Sequence, residues 1–250
     1  MACHFGSIWS NGYGLRRSLL ITSNQEPRKR GKENKIYSWI CGFQISIGVM
    51  IELLLATRNA HKTREILEIL GADFAVRDLR ACPEISDTNE TGASFKENAM
   101  LKALAVSKTL PGFVVADDSG LEVDALSGAP GIYSARYAGT NATENGNINK
   151  LLRELARTHA RDDARRARFH CVVALARNGN LVETFEGMVE GTIADEPRGD
   201  DGFGYDPIFI PKGFKETFGE LSIEVKNTIS HRAIAIRRLA LKLRQLESRD

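Results

Sequence analysis

The run Ile51-Glu52-Leu53-Leu54-Leu55-Ala56 is the feature that most constrains what this chain can fold into. It is almost wholly apolar, and it passes at once into the polar Thr57-Arg58-Asn59 and then a helical pattern. A buried strand that feeds a helix through a short polar turn is the unit from which α/β sheets are built. Further along, the spacing predicts a helix over 61–70, a short strand over 74–76, a helix over 94–109 and a strand over 113–116. A loop region over 117–140 and a helix over 143–157 come next. Two strand runs, 167–176 and 181–193, read as a hairpin turned at Asn178-Gly179-Asn180, because Asn-Gly tolerates the left-handed backbone of a tight turn. A short apolar strand over 206–210 and a long helix over 230–246 close the chain. No repeat or low-complexity tract divides residues 51–247, which are expected to form one domain.

Residues 1–50 have a different texture. Gly, Ser, Asn and aromatic residues precede the basic run Arg28-Lys29-Arg30-Gly31-Lys32, so an irregular, disordered extension or translation from an upstream start is expected there. The apolar stretch 36–55 is interrupted by Gln44, Ser46 and Glu52, which argues for a core strand and against a membrane span. Thirty-four Lys and Arg against 32 Asp and Glu give a net charge of +2, too little to argue for a stable nucleic-acid partner. Cys3, Cys41, Cys82 and Cys171 lack the spacing of a zinc site or a disulfide framework, which fits a reducing cytoplasm.

The chemistry gathers in five stretches. Thr57-Arg58-Asn59-Ala60-His61-Lys62 lies between a strand and a helix, where free backbone N–H groups and the helix dipole favour a phosphate chain and Lys62 adds a charge. The Walker pattern is absent, and an ordinary N-cap uses the same residues. In Val114-Val115-Ala116-Asp117-Asp118-Ser119-Gly120-Leu121 an apolar strand ends on two adjacent carboxylates, a place where ligands bind in α/β sheets and where hard oxygens suit Mg²⁺. Asp-Ser-Gly is also common turn chemistry. Glu90 sits on the loop before a helix whose first turn holds Glu97 and Asn98, free to reach toward a metal.

Gly199-Asp200-Asp201-Gly202-Phe203-Gly204-Tyr205-Asp206-Pro207 alternates glycines with aromatic residues and ends on an acid, a set that can approach, stack on and hydrogen-bond a flat base, or equally plug a hydrophobic loop. Last, Lys226 precedes Ser230-His231-Arg232, where Ser230 is an N-cap and cations in the first helical turn call for an anionic or carbonyl-bearing partner.

Taken in order, these stretches, together with Ala129-Pro130-Gly131-Ile132-Tyr133-Ser134-Ala135-Arg136, closely resemble the inosine triphosphate pyrophosphatase family in its bacterial form. The Ala-Asp-Asp-Ser-Gly-Leu and Ser-His-Arg segments are the most specific. The resemblance implies an α/β unit with an elongated mixed central sheet, flanking helices and two lobes around an active-site cleft. It also implies a homodimer. The implied reaction is Mg²⁺-dependent hydrolysis of non-standard purine nucleoside triphosphates (ITP, dITP, XTP) to the monophosphate and pyrophosphate. By the same resemblance Asp118 is the proton acceptor and a metal ligand, with Glu90 the candidate second ligand, while residues 57–62 contact the triphosphate and Ser119 is a substrate contact. Phe203, Gly204, Tyr205 and Asp206 hold the purine, and Lys226, His231 and Arg232 complete the substrate contacts. Where the family has Thr-Gly-Asn this chain has Thr57-Arg58-Asn59, so Arg58 is either strained or an added phosphate contact. Two other readings use the same residues: a nucleotide-binding or RNA-binding module without hydrolysis, and a pyrophosphatase acting on standard purine or pyrimidine nucleotides.

Overall fold

The computed structural model describes the backbone of residues 16–22, 37–40 and 43–247, and the burial of side chains from Met50 to Glu247 apart from residues 162 and 163. The basic run at 28–32, Cys3 and Cys41 lie outside the described residues.

Among the described residues eight strands form one mixed sheet. They are β1 (Arg16–Thr22), β2 (Tyr37–Ile40), β3 (Phe43–Leu55), β4 (Phe74–Asp78), β5 (Phe113–Val123), β6 (Arg166–Arg177), β7 (Asn180–Ile193) and β8 (Phe209–Pro211). The second half of β3 pairs parallel with β4 on one side and with β5 on the other. From β5 to β8 each neighbour is antiparallel. β3 begins at Phe43, not at Ile51 as expected, and its first half pairs antiparallel with β1 and β2. The sequence alternates there, with Phe43, Ile45, Ile47, Val49 and Ile51 two apart, the period of a strand.

Among the described residues five α-helices pack on this sheet: α1 (Ala60–Leu70), α2 (Phe95–Ser107), α3 (Glu144–Arg157), α4 (Ile223–Ile229) and α5 (His231–Glu247). The first four begin on side-chain caps from Asn59, Ser94, Thr143 and Ser222. Because strand side chains alternate between faces, Leu53, Leu55, Val115, Val173 and Leu175 pack against α1 and α5. Leu54, Val114, Ala116, Val172 and Ala174 face α2 on the opposite side. A third cluster, around Leu121, Leu151, Phe169, Phe209 and Phe218, forms the far lobe with α3 and the ends of β5 to β8. Each large apolar side chain buried in these clusters contributes roughly 1.5–3 kcal/mol.

Two further corrections bear on the site. β5 does not stop at Ala116: it runs to Val123, because β6 pairs with it over its whole length, from Phe113↔Arg177 to Val123↔Ala167. The parallel pairing with β3 nevertheless ends at Val115, so Asp117 and Asp118 do lie just past the carboxyl end of that pair. The strand expected over 206–210 is a 3-10 turn from Asp206 to Ile208 followed by β8, since Pro207 has no N–H to donate to a ladder. The Asn178-Gly179 hairpin forms as expected, with both residues at positive φ.

Candidate active site

Adjacent residues on a strand point to opposite faces, and this separates the two aspartates. Asp117 faces α1 and α5. Its Oδ2 lies 3.0 Å from Lys62 Nζ and accepts from Arg232 Nη2 at 3.2 Å and from Ser119 Oγ at 3.3 Å. Burial favours the neutral acid, but Lys62 and Arg232 overcome it and hold the Asp117 carboxyl well below its usual range. Asp118 faces α2. Lys102 Nζ donates to Asp118 Oδ1 at 3.2 Å and to Glu90 Oε1 at 2.8 Å, and Arg136 reaches the other Glu90 oxygen at 3.4 Å. Here burial wins: together with the charge of Glu90 it raises the Asp118 carboxyl above its ordinary value, against Lys102 and Lys62. One aspartate is thus a fixed anion, and its neighbour is more ready to take a proton.

The residues expected from the resemblance to hold the purine meet in a buried chain of charges. Glu65, on α1, accepts from Lys226 Nζ and from Arg232 Nη1, both at 2.5 Å. Lys226 donates in turn to Asp206 Oδ2 at 2.5 Å, and that oxygen also accepts from the Phe203 backbone N–H at 2.7 Å. Asp206 is therefore spent largely on shaping its own loop. Gly202 makes the loop possible: its φ is +81°, and an added Cβ would stand 2.2 Å from Asp206 Oδ2. Gly202→Ala is expected to cost about 1–3 kcal/mol and to raise KM more than it lowers kcat, as read by urea denaturation and steady-state kinetics. The Phe203 ring stacks on His61 at 5.4 Å, and Lys226 and Arg232 approach it as cations. Burial first, and then the charges of Arg232 and Lys226, lower the His231 pKa well below its usual value and keep the imidazole neutral. It stacks on Phe169 at 4.7 Å. The expected surplus of positive charge at the start of α5 is thus absent, because His231 is neutral and Arg232 is paired.

The phosphate-loop expectation needs correction in one respect. Asn59 Oδ1 accepts from the backbone N–H groups of His61 and Lys62, so the cap consumes donors that were expected to be free. Lys62 supplies the charge here. Arg58 turns away, donating to Leu79 O, Ile85 O and Asp87. Its backbone is outside the left-handed region, so arginine in place of glycine is unstrained.

All of these elements converge on a cavity of about 560 Å³, within the range of small-molecule sites. Every residue to which the resemblance gives a site role borders it except Ala60 and His61, while Asp117 stands outside the lining. Lys102 and Arg136 also line it, and Glu65 supports its wall from behind. Sequence reasoning missed Lys102 and Glu65 because a charged residue on an amphipathic helix usually marks the solvated face. The available signal was spacing: Lys62 and Glu65 lie three apart on α1, and Asn98 and Lys102 four apart on α2, each pair on one helix face.

Among the described residues no three acidic, His or Cys side chains form a ready metal cage. The donor set nevertheless fits a hard cation shared with a polyphosphate, which needs only one or two carboxylates. Asp118 Oδ2 and Asp117 Oδ1 are buried without hydrogen-bond partners. Lys62, Lys102, Lys226 and Arg232 each pair with a carboxylate, which offsets part of the charge they offer a polyphosphate and leaves room for a cation to add to it.

A curled mixed sheet whose cleft joins paired acids, cations and a glycine-aromatic loop defines a nucleotide-processing type of α/β protein. The sequence profile of the Ham1 family matches residues 53–242, and the chain belongs to that family. Among its relatives, a dITP/XTP pyrophosphatase of Bacillus licheniformis is 48% identical over 200 residues, 78% of this chain and 100% of that protein. The protein of the same name from Bacillus subtilis strain 168 is 47% identical over 193 residues, 77% of this chain and 96% of its own length. A HAM1 protein from Coxiella burnetii superposes with a TM-score of 0.70 at 41% identity, covering 78% of this chain and 100% of that structure. The Staphylococcus aureus Ham1 protein gives 0.69 at 43% identity, covering 78% and 99%. The resemblance and the fold class drawn from the sequence are both borne out.

Proposed function

We propose that residues 51–247 form a pyrophosphatase that hydrolyses non-standard purine nucleoside triphosphates, ITP, dITP and XTP, to the monophosphate and pyrophosphate. The observation that carries this reading is Asp118, a buried carboxylate of raised basicity with one unpartnered oxygen, in the wall of a cavity that also holds Lys62, Lys102 and the Phe203 loop. The names of the two Bacillus relatives support the substrate class.

In this reading Asp118 takes a proton from water as the water oxygen bonds to the α-phosphorus, and the bond from that phosphorus to the α–β bridging oxygen breaks. Mg²⁺, held by Asp118 and Glu90, would supply charge neutralisation and alignment of the triphosphate. Lys62 binds the phosphate chain, and Asp117 fixes its ammonium. On the base side Phe203 stacks on the purine and Arg232 donates to a 6-oxo group. Adenine puts an amino donor at that position, leaving a buried donor unpaired at a cost of roughly 1–3 kcal/mol. A cytoplasmic homodimer completes the proposal. Among the described residues no helix is long and apolar enough to cross a membrane.

The test is product analysis with a substrate panel. With Mg²⁺, ITP, dITP and XTP are expected to give pyrophosphate at rates about ten- to a hundredfold above ATP, the factor that one unpaired donor supplies. Orthophosphate as the first product, or ITP bound without turnover, would overturn the reading.

A further inference from the structure

The residue at position 58 departs from the glycine of the family pattern, and its side chain makes contacts that a glycine lacks. Arg58 Nη1 donates to Leu79 O at 2.5 Å, Nη2 to Ile85 O at 2.5 Å, and Nε to Asp87 Oδ1 at 2.9 Å. The two carbonyls bracket a turn closed by Cys82 N→Leu79 O and Ile85 N→Cys82 O. Residues 82–94 carry no helix or strand, so their backbone depends on local and side-chain bonds for order. A planar guanidinium whose donors diverge can hold several acceptors at once, and charge makes each bond stronger than a neutral one. Backbone joins the same two loops through Leu79 N→Thr57 O at 3.1 Å.

Glu90 lies three residues beyond Asp87, at the end of this stapled segment. Its carboxylate is the one that Lys102 ties to Asp118. A loose segment would let Glu90 sample positions away from Asp118; a pinned one presents it already oriented.

We infer that Arg58 is a positioning residue that staples residues 79–87 to the loop at 57–59, thereby holding Glu90 beside Asp118, and that it is not a phosphate contact. The link to metal binding rests on the reading of Glu90 as a metal ligand; the staple itself does not.

Hydrogen exchange read by mass spectrometry on the full chain, without nucleotide or metal, tests the staple directly. In Arg58→Gly the amides of residues 82–91 are expected to exchange about tenfold faster, while those of the core strands stay unchanged. Arg58→Lys should not restore protection, since one ammonium cannot reach acceptors that far apart. Asp87→Asn removes only the outer anchor and should give a smaller increase, which keeps the test available should Arg58→Gly fold poorly. Isothermal titration with Mn²⁺ then reads the consequence: affinity is expected to fall about tenfold in Arg58→Gly, the scale of a lost outer-sphere support, with KM for ITP unchanged at saturating metal. Unaltered exchange over 82–91, or a raised KM for ITP with intact Mn²⁺ affinity, would overturn the inference in favour of a phosphate contact. If Glu90→Gln leaves Mn²⁺ affinity intact while Arg58→Gly still loosens the segment, the metal role of Glu90 fails and the staple stands.

Discussion

Asp118→Asn is expected to lower kcat for ITP hydrolysis by about a thousandfold, in the middle of the range that a positioned base contributes, and to leave the protein fully folded. Asparagine keeps the shape of the side chain but cannot take the proton. Stability should not suffer, because the folded state raises the pKa of Asp118. A raised carboxyl contributes stability only where it is protonated; at neutral pH its charge is a cost, which the amide removes. Lys102 keeps Glu90 as a partner. The neighbouring Asp117→Asn should behave in the opposite way: its carboxyl is held low by Lys62 and Arg232, so the amide leaves two cations short of a partner and the protein melts earlier. Pyrophosphate release and thermal unfolding on the two variants check the pair. An Asp118→Asn variant retaining a tenth of wild-type turnover would remove Asp118 from the role of base.

That contrast also marks the boundary of what the sequence discloses. The resemblance singles out Asp118 from the two acids of Ala-Asp-Asp-Ser-Gly-Leu, but the physical difference between them, one carboxyl held low and the other raised, comes from which face each one takes. That depends on β5 continuing past Ala116, which the pairing with β6 decides. Local pattern suggested an earlier end because Asp, Ser and Gly are turn formers, and tertiary pairing overrode that preference. The helices α1, α2, α3 and α5 were readable from apolar spacing and capping residues, while α4 was not. It is seven residues long, and its C-cap is the Ser230 that precedes α5, so one serine hides the junction of two helices. The order of motifs located most of the cavity wall. Among what it left out were Lys102 in the wall and Glu65 behind it, charges inside otherwise ordinary helical patterns, because burial at a site is a property of the packed neighbours and not of the helix that carries the residue.

Glu65 is where that omission has the largest expected effect on stability. It is the shared partner of two buried cations, Lys226 and Arg232, at 2.5 Å each. In Glu65→Gln Lys226 keeps Asp206 as its carboxylate partner, and Arg232 keeps Asp117 and the Ser119 hydroxyl. Removing one member of a buried ionic cluster typically costs about 3–5 kcal/mol, and urea denaturation at neutral pH is expected to show a loss of that size. The pH dependence distinguishes lost charge from lost packing. Burial opposes ionisation of Glu65, but Arg232 and Lys226 bring its pKa below 4.5. Its contribution is therefore complete above 4.5 and fades as the pH falls through the lower folded value, so wild type and Glu65→Gln should converge in acid. A gap that persists unchanged in acid would mean that the side chain acts through packing. Glu65→Asp keeps the charge but withdraws it by one methylene, so it should recover part of the stability. KM for ITP should still rise, since the carboxylate that orients Arg232 and Lys226 toward the Phe203 loop no longer reaches both. Glu65 acts in this arrangement by fixing the direction of two buried cations, Lys226 and Arg232.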